Sequence, residues 1–457
     1  MVFSSMTFLT LFLPVFMVAY FAVPSNRLQL RNWVLLVGSL LFYAAGEPIW
    51  VVLLVCSGIM DWMLGILIER SRGTGRARVF LVMSIAINIG LLSFFKYAPW
   101  LMELMGLPRH LAPGLPIGIS FYTFQTLSYS IDVYRGRVRS QASPVKFLMY
   151  VSMFPQLVAG PIVAYKDVEN MLSERTSTLR GVSEGATRFV MGLGKKIIFA
   201  NHAGAVASQL LDTGAATAST AGVWLGVVMF FFQIYFDFSG YSDMAIGLGK
   251  IIGFEFLENF DYPYTAKSIT DFWRRWHISL GSFFKDYVYI PLGGNRKRQF
   301  SNILIVWMLT GIWHGATANF VIWGLYFALL LVLEKYVLHG LFERLPAWIS
   351  HSYVLLAVLF SWLIFYVTDL SQLLAMSAHF FGMGGQLVDH LAIELFWGNV
   401  WILPIMAIFV TRVPIQVFHH VTFKRPELEP WFNLTVLAFS FALLIGQTFT
   451  TFIYFRF

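Results

Sequence analysis

The chain has 457 residues, 58% of them hydrophobic, 17% aromatic and only 12% charged. Soluble domains run nearer half apolar and a quarter charged, so a mean hydropathy of +0.68 excludes an ordinary soluble globule and points to a membrane protein in contact with lipid. The formal net charge of +8 is spread over several short loops, a pattern of membrane orientation that leaves nucleic acid a poor partner.

A bilayer crossing takes about 17–25 mostly apolar residues in a helix. In chain order the sequence offers spans or near-spans at 7–23, 32–46, 49–68, 79–97, 115–133, 187–207, 222–247, 302–315, 317–338, 351–369, 393–412 and 432–451. The first segment lacks the basic stretch that precedes a cleavable signal, so it reads as a mature helix. The stretch 146–164 is interrupted by Pro155, Gly160 and Pro161 and reads as re-entrant. The expected fold is all-α, a polytopic membrane protein of about 11–12 transmembrane helices with re-entrant or interfacial helices around a central cavity.

Basic residues set the orientation. Arg27 and Arg31, then Arg70, Arg72, Arg76 and Arg78, then Arg135, Arg137, Arg139 and Lys146 collect in loops separated each time by two spans. They therefore share the cytoplasmic side, with the N-terminus outside. The single cysteine, Cys56, lies in an apolar run. It supports neither a disulfide framework nor a thiolate metal site, and a buried packing role is expected. No repeat of fixed period occurs, unlike the paired halves of many secondary transporters.

Polarity enters the apolar segments between residues 233 and 324. In 233-QIYFDFSGYSDMAIGLGK-250, a carboxylate at membrane depth must be paired or hydrated, so Asp237 and Asp243 are expected to face the interior. An ion pair with Arg274, Arg275 or Lys250 is the favoured arrangement. Gln233 and Asp237, four residues apart, share a helix face and complete a polar lining.

The stretch 271-DFWRRWHISLGSFFKDYVYIPLGGNRKRQ-299 is too polar to span and too aromatic for a solvated linker. It reads as an interfacial or re-entrant element whose rings anchor at the headgroup level. Two readings of Arg274, Arg275 and Lys285 stand: lipid anchoring, or a cluster of cations that holds an anionic, phosphate-rich thioester cosubstrate.

In 301-SNILIVWMLTGIWHGATANFVIWGLYFALLLVL-333, His314 falls 12 residues beyond Asn302, roughly 18 Å into a hydrocarbon layer about 30 Å thick. A histidine at that depth is a functional-site candidate, and the competing reading is a packing histidine bonded to a neighbour such as Thr310. Gly311 and Gly315 bracket it and leave room for a backbone or a substrate. His277, beside Arg274, Arg275 and Trp276, reads more as a structural or cosubstrate-facing residue than His314 does. His202, His339, His419 and His420 fall in loops or at span ends, where solvated roles predominate. No metal is expected, because the histidines lack ligand spacing and a carboxylate or thiolate cluster.

The stretches MVFSSMTFL at the start, 116-PIGISFYTFQTLSYSIDVYRG-136, 154-FPQLVAGPI-162, 192-GLGKKIIFAN-201, 235-YFDFSGYSDMAIGLG-249, 272-FWRRWHISL-280, 286-DYVYIPLGGNR-296 and 312-IWHGA-316 resemble the membrane-bound O-acyltransferase family, in its alginate O-acetyltransferase-like branch. The resemblance implies one integral membrane domain over 1–457 with its motif-bearing core at about 115–325; helices 340–457 carry no matching motif. It implies acetyl transfer from cytoplasmic acetyl-CoA, a cosubstrate and not a permanently bound cofactor, across the bacterial inner membrane. It marks His314 as catalytic, with His277 as the family's second histidine. It also implies a separate extracytoplasmic serine-hydrolase-like acetyltransferase as partner and a polysaccharide, such as alginate, as final acceptor. Peptidoglycan, or D-alanyl transfer to teichoic acid, is the alternative within the family. A transporter or flippase is the alternative outside it.

Overall fold

The computed structural model describes residues 1–446 except 109–111, 159, 215–216, 339 and 341–344. His339 and the far end of the expected span 432–451 therefore lie outside the described residues. The described chain is helical, with no strand. In order the helices are α1 (Leu13–Ala22), α2 (Leu28–Ala44), α3 (Trp50–Arg70), α4 (Gly75–Leu104), α5 (Ile119–Arg135), α6 (Pro144–Ser152), α7 (Phe154–Leu157), α8 (Tyr165–Val168), α9 (Leu179–Gly194), α10 (Asn201–Leu211) and α11 (Thr220–Ile251). They continue with α12 (Ile269–Arg275), α13 (Ile278–Phe284), α14 (Gln299–His314), α15 (Ala318–Tyr336), α16 (Ala347–Tyr366), α17 (Leu370–Phe380), α18 (His390–Asn399), α19 (Ile402–Phe409), α20 (Val413–Lys424) and α21 (Leu428–Gly446).

Among the described residues, six helices are long and apolar enough to cross a membrane: α3, α4, α11, α15, α16 and α21. The pair α18 and α19, bent by 64°, makes a seventh if it is one span. The chain is thus a multi-pass membrane protein, with fewer full-length spans than hydropathy alone suggests. The difference has local causes. The run 179–211 is divided by a π-helical turn at Lys195–Ala200, α14 has only 16 residues, and the apolar helices Phe8–Ala22 and Leu28–Ala44 are shorter than a full span; the expected re-entrant stretch 146–164 breaks at Met153 between α6 and α7.

The chain forms two compact units, Met1–Val190 with Tyr241–Glu258, and Met191–Gly240 with Asn259–Phe457. In the first, α3, α4 and α5 meet around the fully buried Asp61. Ser84 Oγ donates to its Oδ1 at 2.8 Å, Asn88 Nδ2 donates to both of its oxygens at 2.9 Å, and Thr126 Oγ1 donates to Asn88 Oδ1 at 3.0 Å. Neutral donors satisfy the carboxyl group and fix three helices at once. Cys56 is exposed, contrary to the expected packing role. The inward face of α3 is set by Leu54, Ser57, Gly58, Asp61, Leu64, Gly65 and Ile68, and helical periodicity turns position 56 away from it.

In the second unit α14 and α15 pack closely. A Cβ on Gly311 would collide with the Phe320 carbonyl, and one on Gly324 with the Trp307 carbonyl. Glycine at these positions brings two backbones together. Gly315 is likewise filled by the Phe320 ring, so both glycines that bracket His314 serve helix packing and hold no space open for a substrate.

Candidate functional site

The site is built on the short helices α12 and α13. Ser268 Oγ caps α12 by accepting from Asp271 N at 2.9 Å. The buried Glu334 of α15 accepts the backbone N–H groups of Ile269 at 2.5 Å and Thr270 at 3.0 Å, and also the Thr270 hydroxyl at 3.0 Å. A carboxylate on the first N–H groups of a helix satisfies donors that have no partner inside it and complements the dipole. The helix ends at Arg275. Trp276 is extended, and His277 takes the left-handed conformation, φ 46° and ψ 53°, before α13 begins.

A left-handed non-glycine residue costs about 1–3 kcal/mol and persists only where its surroundings over-determine it. Asn259 supplies that constraint. Its carbonyl accepts from Ile278 N at 3.0 Å. Its side-chain Oδ1 accepts from Ser279 N at 3.1 Å and Ser279 Oγ at 2.9 Å, and lies 3.2 Å from His277 Nδ1.

His277 is 2% exposed. The Phe238 ring stands edge-on to it at 4.6 Å and the Trp313 ring lies at 6.2 Å. Burial pushes the imidazole down to about 3, because a charged ring would lose its hydration with no counter-charge in return. The neutral ring keeps one nitrogen as an acceptor, and Nε2 is buried without a hydrogen-bond partner among the described residues.

His314 is the last residue of α14 and is buried. Its ring stands edge-on to Trp323 at 5.1 Å and to Phe365 at 5.2 Å. The Thr310 hydroxyl donates to Val306 O at 2.8 Å and is committed to its own helix. Because Trp313 packs on His277, the stretches 272–280 and 312–316, separate in sequence, converge on one place.

The remaining candidates distribute differently from expectation. Asp237 and Asp243 are both ion-paired, but not to Arg274, Arg275 or Lys250. Lys196 takes Asp237, with 2.5 Å between Nζ and Oδ1. In the first unit Arg188 bridges Asp243 at 2.8 Å and Glu258 at 2.5 Å. Asp237 turns to Lys196 while Phe238, one residue along α11, meets His277. Gln233 packs over Gly204 of α10, and so faces the same 195–211 run as Asp237 does. Arg275 is committed to Asp271 at 2.9 Å. Arg274 and Lys285 are exposed, with no ion-pair partner among the described residues.

Most of the rings expected at the headgroup level are core instead, and Tyr287 and Tyr289 are half-buried. Phe272, Trp276, Phe283 and Phe284 are buried, and Trp273 lies between Trp307 at 4.5 Å and Phe327 at 4.8 Å. His202 is not simply solvated, since its Nε2 lies 2.6 Å from Asn399 Oδ1, whereas His419 and His420 are exposed. No cluster of three or more His, Cys, Asp or Glu side chains suited to a metal occurs among the described residues. Sequence reasoning missed Lys196, Glu334, Arg188 and Asn259. A cation inside an apolar run was a usable signal for Lys196; Asn259 carried none.

The family model for membrane-bound O-acyltransferases matches residues 122–377, a range that includes both His277 and His314. The chain is 35% identical to a probable alginate O-acetylase AlgI of Pseudomonas putida over the whole of both chains. It is 38% identical to the probable alginate O-acetylase AlgI of Pseudomonas aeruginosa, over 84% of this chain and 75% of that one. It is 33% identical to a peptidoglycan O-acetyltransferase of Helicobacter pylori, over 96% of this chain and 89% of that one.

Proposed function

The chain belongs to the membrane-bound O-acyltransferase family and is an acyltransferase, and from that premise we propose that it takes acetyl groups from cytoplasmic acetyl-CoA and delivers them outward for O-acetylation of an exopolysaccharide of the alginate kind. The observation that carries this reading is the convergence of two buried histidine-bearing stretches through the contact of His277 with Trp313. The chain lies in the bacterial inner membrane, N-terminus outside, and hands the acetyl group to an extracytoplasmic serine-hydrolase-like acetyltransferase.

The chemistry asks for a neutral imidazole close to the acceptor hydroxyl. His314 takes the hydroxyl proton as the oxygen attacks the thioester carbon, and the C–O bond forms as the C–S bond breaks. The proton passes to the departing thiolate, so CoA leaves as the thiol and the imidazole is regenerated. A site walled by Trp313, Trp323 and Phe365 excludes bulk water, which limits hydrolysis of the thioester. Arg274 and Lys285, exposed and carrying positive charge, meet the CoA phosphates.

The peptidoglycan O-acetyltransferase among the relatives makes peptidoglycan the second acceptor reading. Purified protein is incubated with acetyl-CoA labelled in the acetyl group, with and without the extracytoplasmic partner and each acceptor. Label transferred to alginate supports the first reading, and label transferred to peptidoglycan the second. Movement of acetyl-CoA without cleavage would overturn both in favour of a transporter.

A further inference from the structure

We propose that Asn259 is a positioning residue for acyl transfer, whose Oδ1 locks His277 in the tautomer protonated on Nδ1 and so keeps Nε2 bare as an acceptor for the reacting groups. The proposal rests on the acyltransferase reading for its catalytic meaning, and on the hydrogen-bond geometry and the burial of the ring for the tautomer.

The geometry starts from a group whose role is fixed. The Ser279 backbone N–H can only donate, so the Asn259 atom 3.1 Å from it is the oxygen. The same oxygen faces His277 Nδ1 at 3.2 Å, and an oxygen without a hydrogen is bonded only if Nδ1 carries one. A neutral imidazole has one N–H, so Nε2 is left as a lone pair. That atom is buried and unpartnered among the described residues. The groups around the ring are Phe238, Trp313 and Asn259, and burial alone drives its basicity down, with no charged side chain contributing.

Two costs coincide here. His277 is held left-handed, and Asn259 Nδ2 is itself buried without a partner among the described residues. A purely structural residue at 259 would satisfy its own amide N–H. Retaining an orphaned N–H in order to aim Oδ1 at a strained histidine is the trade expected of a site that orients a reactive ring.

The test has two independent readouts on the full chain in detergent. Nitrogen-15 NMR of labelled histidine, with the spectrum of His277→Gln subtracted to isolate this ring among the 10 histidines, is expected to give a neutral Nδ1–H tautomer at pH 7. An Nε2–H tautomer or an imidazolium overturns the proposal, whether or not the protein transfers acetyl groups. In the acetyl-CoA turnover assay, Asn259→Ala is expected to lower kcat about 10–100-fold with little change in KM for acetyl-CoA. Asn259→Asp keeps the acceptor and adds a charge that favours the imidazolium. It is expected to recover most of the rate above about pH 8 and to lose it on acidification more steeply than wild type does. Equal losses for Ala and Asp with an unshifted pH profile overturn the positioning role. A wild type that turns over nothing refutes the acyltransferase reading instead and leaves the tautomer to the NMR result. If Asn259→Ala fails to accumulate, the wild-type spectrum still decides.

Discussion

Lys196 Nζ lies 2.5 Å from Asp237 Oδ1, and the two side chains are 6% and 1% exposed. A π-helical turn at Lys195–Ala200 carries the lysine, and the spanning helix α11 carries the aspartate. Two desolvated charges facing each other in this way are costly to separate, because whichever remains is buried without compensation. Lys196→Met and Asp237→Leu are each expected to destabilise the protein by roughly 3–5 kcal/mol. The double substitution should restore much of that loss, since an apolar pair of similar volume often replaces a buried ion pair without penalty. Thermal unfolding in detergent measures all three. If the double variant is as unstable as the sum of the singles, the pair is not the relationship that matters.

Much of the all-helical membrane fold was legible in hydropathy, because long apolar runs have few other solutions. The place of His314 at the end of a helix that starts from the basic loop at 296–298 was legible too. Partner identity was not. Periodicity says that Asp237 faces inward, but which cation arrives from another helix depends on tertiary packing, and the cation is Lys196. The aromatic stretch misled for a related reason: amphipathic rings beside arginines look alike at a membrane interface and over a buried helix junction. Asn259 was invisible, since its meaning comes wholly from the left-handed turn at His277, eighteen residues on in sequence.

Glu334 ties the C-terminal end of α15 to the start of α12, the helix that leads into His277. Its carboxylate accepts two backbone N–H groups and one hydroxyl. Glu334→Gln keeps the shape, loses the charge and aims one amide N–H at these donors, so a loss of about 1–3 kcal/mol is expected. Glu334→Asp keeps the charge but shortens the reach and should fall between. Stability and acetyl transfer are measured together. Loss of stability with full turnover per folded molecule would separate the clamp from the geometry of His277.

Orientation is tested by labelling. Cysteines introduced at Arg72, Arg137 and Lys297 are expected to resist a membrane-impermeant maleimide in intact cells, whereas one at Leu104 should react, because basic short loops stay in the cytoplasm. The native Cys56 is exposed on α3 and is first replaced by serine to clear the background. The reverse pattern would invert both the topology and the proposed direction of transfer.

Arg274 and Lys285 are exposed and unpaired among the described residues, while Arg275 is held by Asp271. Replacing either of the first two with glutamine is expected to raise KM for acetyl-CoA several-fold and to leave kcat near wild type, the signature of lost ground-state binding. Arg275→Gln should act on stability more than on KM. Unchanged KM in the first two variants at normal expression returns them to lipid anchoring.

His314 closes α14 inside an aromatic box of Trp313, Trp323 and Phe365. As a general base it contributes about 10²–10⁴-fold, so His314→Ala should cost roughly 3–5 kcal/mol of transition-state stabilisation. The bracketing glycines are filled by Phe320 and give no slack, so alanine also leaves a hole. His314→Gln, which fills more of that volume but cannot serve as the base, separates the two effects. Both variants are expected to bind acetyl-CoA with near-normal affinity and to lose transfer to a similar extent. His277→Ala is the matched comparison. If it abolishes the chemistry at saturating acetyl-CoA while His314→Gln keeps near-normal turnover, the roles are exchanged and His277, with its bare Nε2, is the base. If His314→Gln turns over normally and His314→Ala merely melts early, His314 is a packing residue. A folded His314→Gln that binds the donor and transfers nothing is the outcome a packing histidine cannot produce, because packing does not distinguish the bound state from the transition state.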